Sequence, residues 1–336
     1  MKNWIRSIVV ISAIAMLFTV GCDRTESKTE STVLIEYLID NDLDLSDILN
    51  GWIITAKDVH DNLGDYYVID VRSQASYDAG HIPGAVFADA STILNVAGNS
   101  NGKTILVHCY KGIGATRLLV ALRLSGYTTA KSLKFGMSAW GPADADSGAA
   151  YDKWTGAVSD TALSYPADWL TTASTPATDI EYEYPELSTG EDEGADILAS
   201  RVATLLSDGY GYATAPDILV NRGDYFINNY WDETSWDHYG HIAGAHRVFG
   251  MSLENGGIDN MNPDETIVTY CWTSQTSGVI TAYLTVLGYD AQSLMLGTNG
   301  MIYSNLETHA WGLGANVNVA LGVTAGANAP GDYELE

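Results

Sequence analysis

The sequence predicts an α/β protein built from two copies of one unit, each a mostly parallel sheet flanked by helices. Three observations predict it. The stretch at 104–126, TILVHCYKGIGATRLLVALRLSG, joins an unbroken apolar run to a cysteine, a polar and glycine-rich turn, and a helix-period segment closed by glycine. The stretch at 266–288, TIVTYCWTSQTSGVITAYLTVLG, repeats that pattern, and Cys109 and Cys271 each precede their closing glycine by 17 residues. Upstream, GHIPGA at 80–85 and GHIAGA at 240–245 begin 29 and 31 residues before those cysteines. An apolar run without alternation suits a parallel strand covered on both faces, and so long a repeat is a domain duplication rather than a solenoid.

The chain opens on Lys2 and Arg6, then an apolar run at 8–20 ending in Val20-Gly21-Cys22. That run is short for a membrane span and right for a secretory signal. Its ending resembles a bacterial lipoprotein signal, with Thr19 where leucine is usual. We expect a signal peptide at 1–21, lipidation of Cys22, a polar tether at 22–32, and a place in the cell envelope, anchored in the periplasm or at the outer membrane. The formal net charge is −26, which repels nucleic acid and anionic headgroups and excludes a phosphate-backbone partner.

Residues 33–141 are expected to form the first domain. Within it, 33–50 reads as one or two short helices packed on that domain. Its DNDLDLSD run lacks the glycine of a calcium loop and reads as a solvated acidic face. Strands are expected at 66–71 and 103–108, with a helix at 73–79. Residues 142–192 lose the pattern and form a linker whose aromatics hold it against a domain surface. The second domain, 193–312, has a helix at 195–206 and strand candidates at 217–220 and 225–227. A small-residue tail, 313–336, is expected to fray. The hydrophobic content of 46% suffices for two cores.

With Cys22 consumed by lipid, Cys109 and Cys271 occupy equivalent positions of separate units and are poor disulfide partners. A cysteine at the end of a parallel strand, before a tight turn into a helix, sits at the sheet edge where α/β folds place their sites. Turn N–H groups and the helix start favour a thiolate and hold anions.

The Asp70-Val71-Arg72 segment, the GHIPGA turn and the strand-cysteine-loop-helix unit together resemble rhodanese domains, over about 49–141 and 195–311. The resemblance implies a tandem rhodanese lipoprotein and a sulfurtransferase. In such an enzyme a cysteine thiolate takes the outer sulfur of thiosulfate, releases sulfite, holds a persulfide and passes the sulfur to a thiol. No metal or organic cofactor is implied. Carried over, Cys109 is the first nucleophile, with Tyr110, Lys111, Gly112, Ile113 and Gly114 as its loop and Asp70 and Arg72 as supports. Lys111 suits an anionic donor, whereas Gly114 lacks the side-chain donor common in the family.

Cys271 is the second candidate, with Trp272, Thr273, Ser274, Gln275 and Thr276 as its loop. Here Ser274 replaces a glycine and the Asp-x-Arg pair is lost around Asn228, Asn229 and Trp231. Eight basic residues lie between Lys57 and Lys134, against Arg201, Arg222 and Arg247 in the second domain, so an anionic donor should prefer Cys109.

Competing chemistry is poorly supported. A phosphatase would need arginine where Ala115 and Ser277 stand. His108 points to the opposite strand face from Cys109, His81 reads as a packed histidine, and His238, His241 and His246 make no convincing metal set. A different class of function is a non-catalytic envelope scaffold beside a multihaem electron-transfer complex. Its motives are the altered second site and the aromatic stretch 225–239, as packing or docking surface.

Overall fold

The computed structural model describes residues 28–142, 148–171, 180–312 and 328–336. The signal at 1–21, Cys22 and the tether up to residue 27 lie outside them. In the first unit the strands are β1 (Ile53–Ile54), β2 (Tyr66–Asp70), β3 (Val86–Phe87), β4 (Thr104–His108) and β5 (Lys131–Leu133). They form a parallel sheet in the order β1-β5-β4-β2-β3. In the sequence that follows come β6 (Trp169–Leu170), β7 (Gly211–Ala213), β8 (Tyr225–Asn229), β9 (His241–Ile242), β10 (Thr266–Tyr270) and β11 (Ala291–Leu294). Of these, β7-β11-β10-β8 form a second parallel sheet. The two sheets have one topology, and a parallel bridge from Asn228 to His246 stands where β3 stands in the first.

Register makes the equivalence residue by residue. Asp70 faces His108 across β2 and β4, and Asn229 faces Tyr270 across β8 and β10. Each cysteine follows the central strand, and the helices Ala115–Leu124 and Gln275–Val286 follow the cysteine turns. The expected helix at 195–206 is Gly194–Asp208. The expected strand at 217–220 is instead the end of a helix, Ala215–Val220. Pro216 at its start presets helical φ and lacks the N–H that a helix start leaves unbonded, which outweighs the β-prone Ile218-Leu219-Val220; the edge strand is β7.

The two cysteine helices pack on each other, and one apolar cluster contains Leu119 and Val120 of the first unit with Ile280 and Tyr283 of the second, all at 0% exposure. The core therefore runs through the boundary between units rather than stopping at it. The helices Glu30–Asp40 and Leu45–Leu49, expected on the first domain, bridge both. A Cβ on Gly194 would meet Tyr37 Cβ at 2.4 Å, so the first of them lies tight against the second unit. Asp44 caps the next helix and its carboxylate also accepts from Leu253 N–H at 2.8 Å and from the Ser252 hydroxyl. Among the described residues no helix is long and apolar enough to cross a membrane.

The linker earns its aromatics: Trp154 is 0% and Trp169 5% exposed, and β6 pairs antiparallel with β9, the histidine turn of the second unit. The tail does not fray over 328–336. His81 and Glu336 exchange backbone hydrogen bonds at 3.1 and 2.9 Å, and Trp140 Nε1 donates to Glu334 O at 2.9 Å. Tyr333 and Glu334 supplied the apolar ring and the carbonyl for this return; the small residues around them hid the signal.

His241 lies flat on Trp236, ring centroids 3.6 Å apart. Burial brings its pKa from 6.5 to about 4. Between those values the unfolded chain binds a proton that the folded chain refuses, so stability is complete above pH 6.5 and is lost as pH falls. Buried His108 is shifted in the same direction. The thermal midpoint is expected to fall by several degrees from pH 7 to pH 4.5, and His241→Gln to flatten that fall. An identical slope in the variant would contradict this account.

Candidate active site

β4 delivers Cys109 to the carboxyl edge of the first sheet, where the turn 110–114 folds back over it. The backbone N–H groups of Lys111, Gly112, Gly114 and Ala115 surround Cys109 Sγ and favour its charged form. Gly112 makes that curl possible with φ 75°. A second turn supports it from behind: Gly136, φ 58°, approaches so closely that a Cβ there would lie 2.2 Å from Cys109 O. Met137 N–H then donates to Cys109 O at 2.9 Å and Ser138 N–H to Tyr110 O at 3.0 Å. The second unit repeats this with Gly297 against Cys271 O and Thr298 N–H donating to it at 3.0 Å. These supporting turns were missed in the sequence, although Leu133-Lys134-Phe135-Gly136 and Leu294-Met295-Leu296-Gly297 are a second repeated signature.

The cradle was expected to favour thiolate outright. Its four amide hydrogens do pull the Cys109 pKa down, but withdrawal of Sγ from water acts the other way, and the net direction is upward. The residue as a whole is half-buried and lines a pocket of about 780 Å³.

That pocket takes residues from three parts of the chain. Arg72, Lys111 and Ile113 come from the first unit, Lys153 from the linker, Tyr212 and Met295 from the second unit. Lys111 faces the cysteine: its charge and a Cys109 thiolate favour each other, while its own burial pulls its pKa down. The carboxylate of neighbouring Asp152 accepts from Trp154 and Thr155 N–H at 2.9 and 3.0 Å, within its own loop. The pocket thus gathers positive charge on a strongly acidic chain. Lys153 and Tyr212 carry no motif that marks them in the sequence.

Asp70 and Arg72 form a buried pair at the wall of the pocket. Arg72 Nη2 lies 2.7 Å from Asp70 Oδ2, its Nε is 3.0 Å from both carboxylate oxygens, and Nη2 also donates to Gly80 O at 2.7 Å. The guanidinium sits 4.9 Å from the centroid of the Tyr110 ring, a cation–π contact that ties the pair to the cysteine loop. Burial works to raise the Asp70 pKa, but His108 and then the hydrogen bonds and charge of Arg72 outweigh it and hold the carboxyl below its usual range. His108 is fully buried on the other face of β4, its Nε2 3.8 Å from Asp70 Oδ2. His81 stacks on Tyr77 at 3.8 Å and its Nδ1 reaches Tyr77 O.

The second loop is closed. Cys271 is 2% exposed, Thr273 8%, Ser274 0% and Gln275 2%. Ser277 N–H lies 3.4 Å from Cys271 Sγ, and the Ser274 and Ser277 hydroxyls both meet Ser293 Oγ, at 2.8 and 3.0 Å. Trp272 is held between Trp231 and His309 at 4.2 and 4.7 Å. Thr276 is half-buried on the following helix. The candidate Cys271 therefore has the Cys109 framework and no matching access. In the 225–239 stretch Trp231 and Trp236 are each 1% exposed and serve packing. Among the described residues His238, His241 and His246 do not join other ligands as a metal set.

A parallel α/β unit with a cradled cysteine beyond its central strand defines the class. Residues 55–143 match the family model of the rhodanese-like domain, and the second sheet has the strand order of the first. Solved structures similar to it include a rhodanese-like domain protein of Staphylococcus aureus, 23% identical over 27% of this chain and 91% of that one, TM-score 0.24. A 3-mercaptopyruvate sulfotransferase of Escherichia coli is 16% identical over 73% and 98%, TM-score 0.27. A thiosulfate sulfurtransferase of Pseudomonas aeruginosa is 14% identical over 79% of this chain and 46% of that one, TM-score 0.27.

Proposed function

We propose that the protein is a sulfurtransferase working through a persulfide on Cys109. The observation that carries this reading is the half-open thiol under four N–H donors, at the floor of a pocket edged by Lys111 and Lys153. The Cys109 thiolate attacks the outer sulfur of thiosulfate or a related donor. A bond forms between the two sulfurs, the donor's own S–S bond breaks, and its electron pair leaves with sulfite. The N–H groups then hold the terminal persulfide sulfur, and Lys111 steadies the donor's sulfonate. An acceptor thiolate attacks that terminal sulfur, and Cys109 departs as thiolate. At about 780 Å³ the pocket falls in the range of organic ligands, roughly 300–1,000 Å³, which suits a small organic thiol as acceptor. Cys271, sealed by its own loop, is read as structural.

The test is transfer of sulfur from thiosulfate to cyanide and to a small thiol by the full chain. Turnover at the background rate with every acceptor would overturn the reading. On sequence grounds we also place the protein in the cell envelope, lipid-anchored through Cys22. Fatty-acid labelling should be present in the wild type and lost in Cys22→Ser; an unlabelled wild type would contradict the anchor.

A further inference from the structure

The sequence assigns Gln275 to the loop of Cys271, yet its side chain reaches into the loop of Cys109. The amide oxygen accepts the buried N–H of Phe135 at 2.8 Å. It lies so near Gly112 that a Cβ on that glycine would be 2.6 Å from it. The amide nitrogen donates to Thr273 Oγ1 at 3.0 Å, which fixes which way the amide faces. Gln275 is 2% exposed, so these partners replace water entirely.

Both residues it touches shape the cradle. Phe135 adopts φ 61°, a left-handed conformation uncommon for a bulky residue and costing on the order of 1 kcal/mol or more. It leads directly into Gly136, which presses on Cys109 O. The N–H of Gly112 is one of those that favour charge on Cys109 Sγ. A further contact from the same unit braces the start of the following helix: Tyr210 OH meets Thr116 Oγ1 at 2.9 Å, and Thr116 Oγ1 donates to Ile113 O at 2.7 Å.

We propose that Gln275 is a positioning residue for Cys109, by which the second unit's cysteine loop holds the first unit's loop in the curl that aims its N–H groups at the sulfur. The duplicated loop has given up its own opening and braces the other thiol. The consequence for chemistry rests on Cys109 as the nucleophile; the brace itself does not.

The experiment uses the full chain with Gln275→Met, which keeps the bulk and removes the acceptor oxygen. Thr273→Val, which frees the amide without altering volume, is the milder second variant should the first fail to fold. Alkylation of Cys109 by iodoacetamide is followed against pH by mass spectrometry of its peptide, alongside the thermal midpoint. Gln275→Met is expected to move the alkylation profile up by about half to one pH unit, roughly 3- to 10-fold less thiolate at a given pH. Thr273→Val should move it less, in the same direction. A purely structural role would lower the thermal midpoint and leave the profile in place, and folded variants with the wild-type profile would overturn the proposal. If the profile moves but thiosulfate loads no sulfur on wild-type Cys109, the brace stands and the sulfurtransferase reading falls.

Discussion

Cys109→Ser is expected to reduce thiosulfate-dependent sulfur transfer by about 10³-fold or more, because a serine hydroxyl neither ionises at neutral pH nor holds a sulfane sulfur. Cys271→Ser is expected to keep the rate within about threefold, since an interaction not made in the transition state leaves catalysis nearly unchanged. The asymmetry follows from access. The two cysteines share a strand end, a helix start and a supporting glycine turn, but Cys109 opens on the pocket while Cys271 is 2% exposed. Steady-state assays of the two single variants and the double variant check this. Equal losses in both single variants would show that the second thiol is in use and that its loop opens in solution.

Arg72→Ala is expected to destabilise the protein by about 3–5 kcal/mol, the cost of leaving a buried carboxylate without its partner. The side chains of Arg72 and Asp70 are 1% and 0% exposed. After the substitution, Asp70 still accepts from the backbone N–H of residue 72 at 2.9 Å. The second unit indicates how the loss is offset. Asn229, at the register position of Asp70, donates through Nδ2 to Tyr270 OH at 2.8 Å, and no charge is buried there. Asp70→Asn combined with Arg72→Ala should therefore cost less than the sum of the single changes by about 1–3 kcal/mol, in the range of coupled neighbours. Urea denaturation of the cycle measures it, and strict additivity would contradict the proposed pairing.

Much of the fold was legible because its signals are local. An apolar run such as Ile105, Leu106 and Val107 has no face to give to water, so it must be an inner strand, and its repetition as Ile267 and Val268 carries the second sheet with it. The cysteine turn was legible for the same reason: Gly112 must adopt a conformation other residues avoid. What escaped the sequence depends on contacts between distant segments. Lys153 reaches the pocket only because the linker folds back through Trp154, and Gln275 looks like any loop polar residue until Phe135 is placed opposite it. The expected strand at 217–220 failed at short range, where Pro216 decides for helix. The thiolate expectation weighed the N–H donors without the burial that opposes them, a quantity no motif encodes.

The central claim is that sulfur is carried on Cys109 and not on Cys271. Its most direct measurement is mass spectrometry of both cysteine peptides after brief exposure of the full, reduced chain to thiosulfate and removal of the excess. The account predicts one added sulfur atom on the Cys109 peptide, discharged by a thiol acceptor, and none on the Cys271 peptide. An unmodified Cys109, or sulfur found on Cys271 instead, would contradict it.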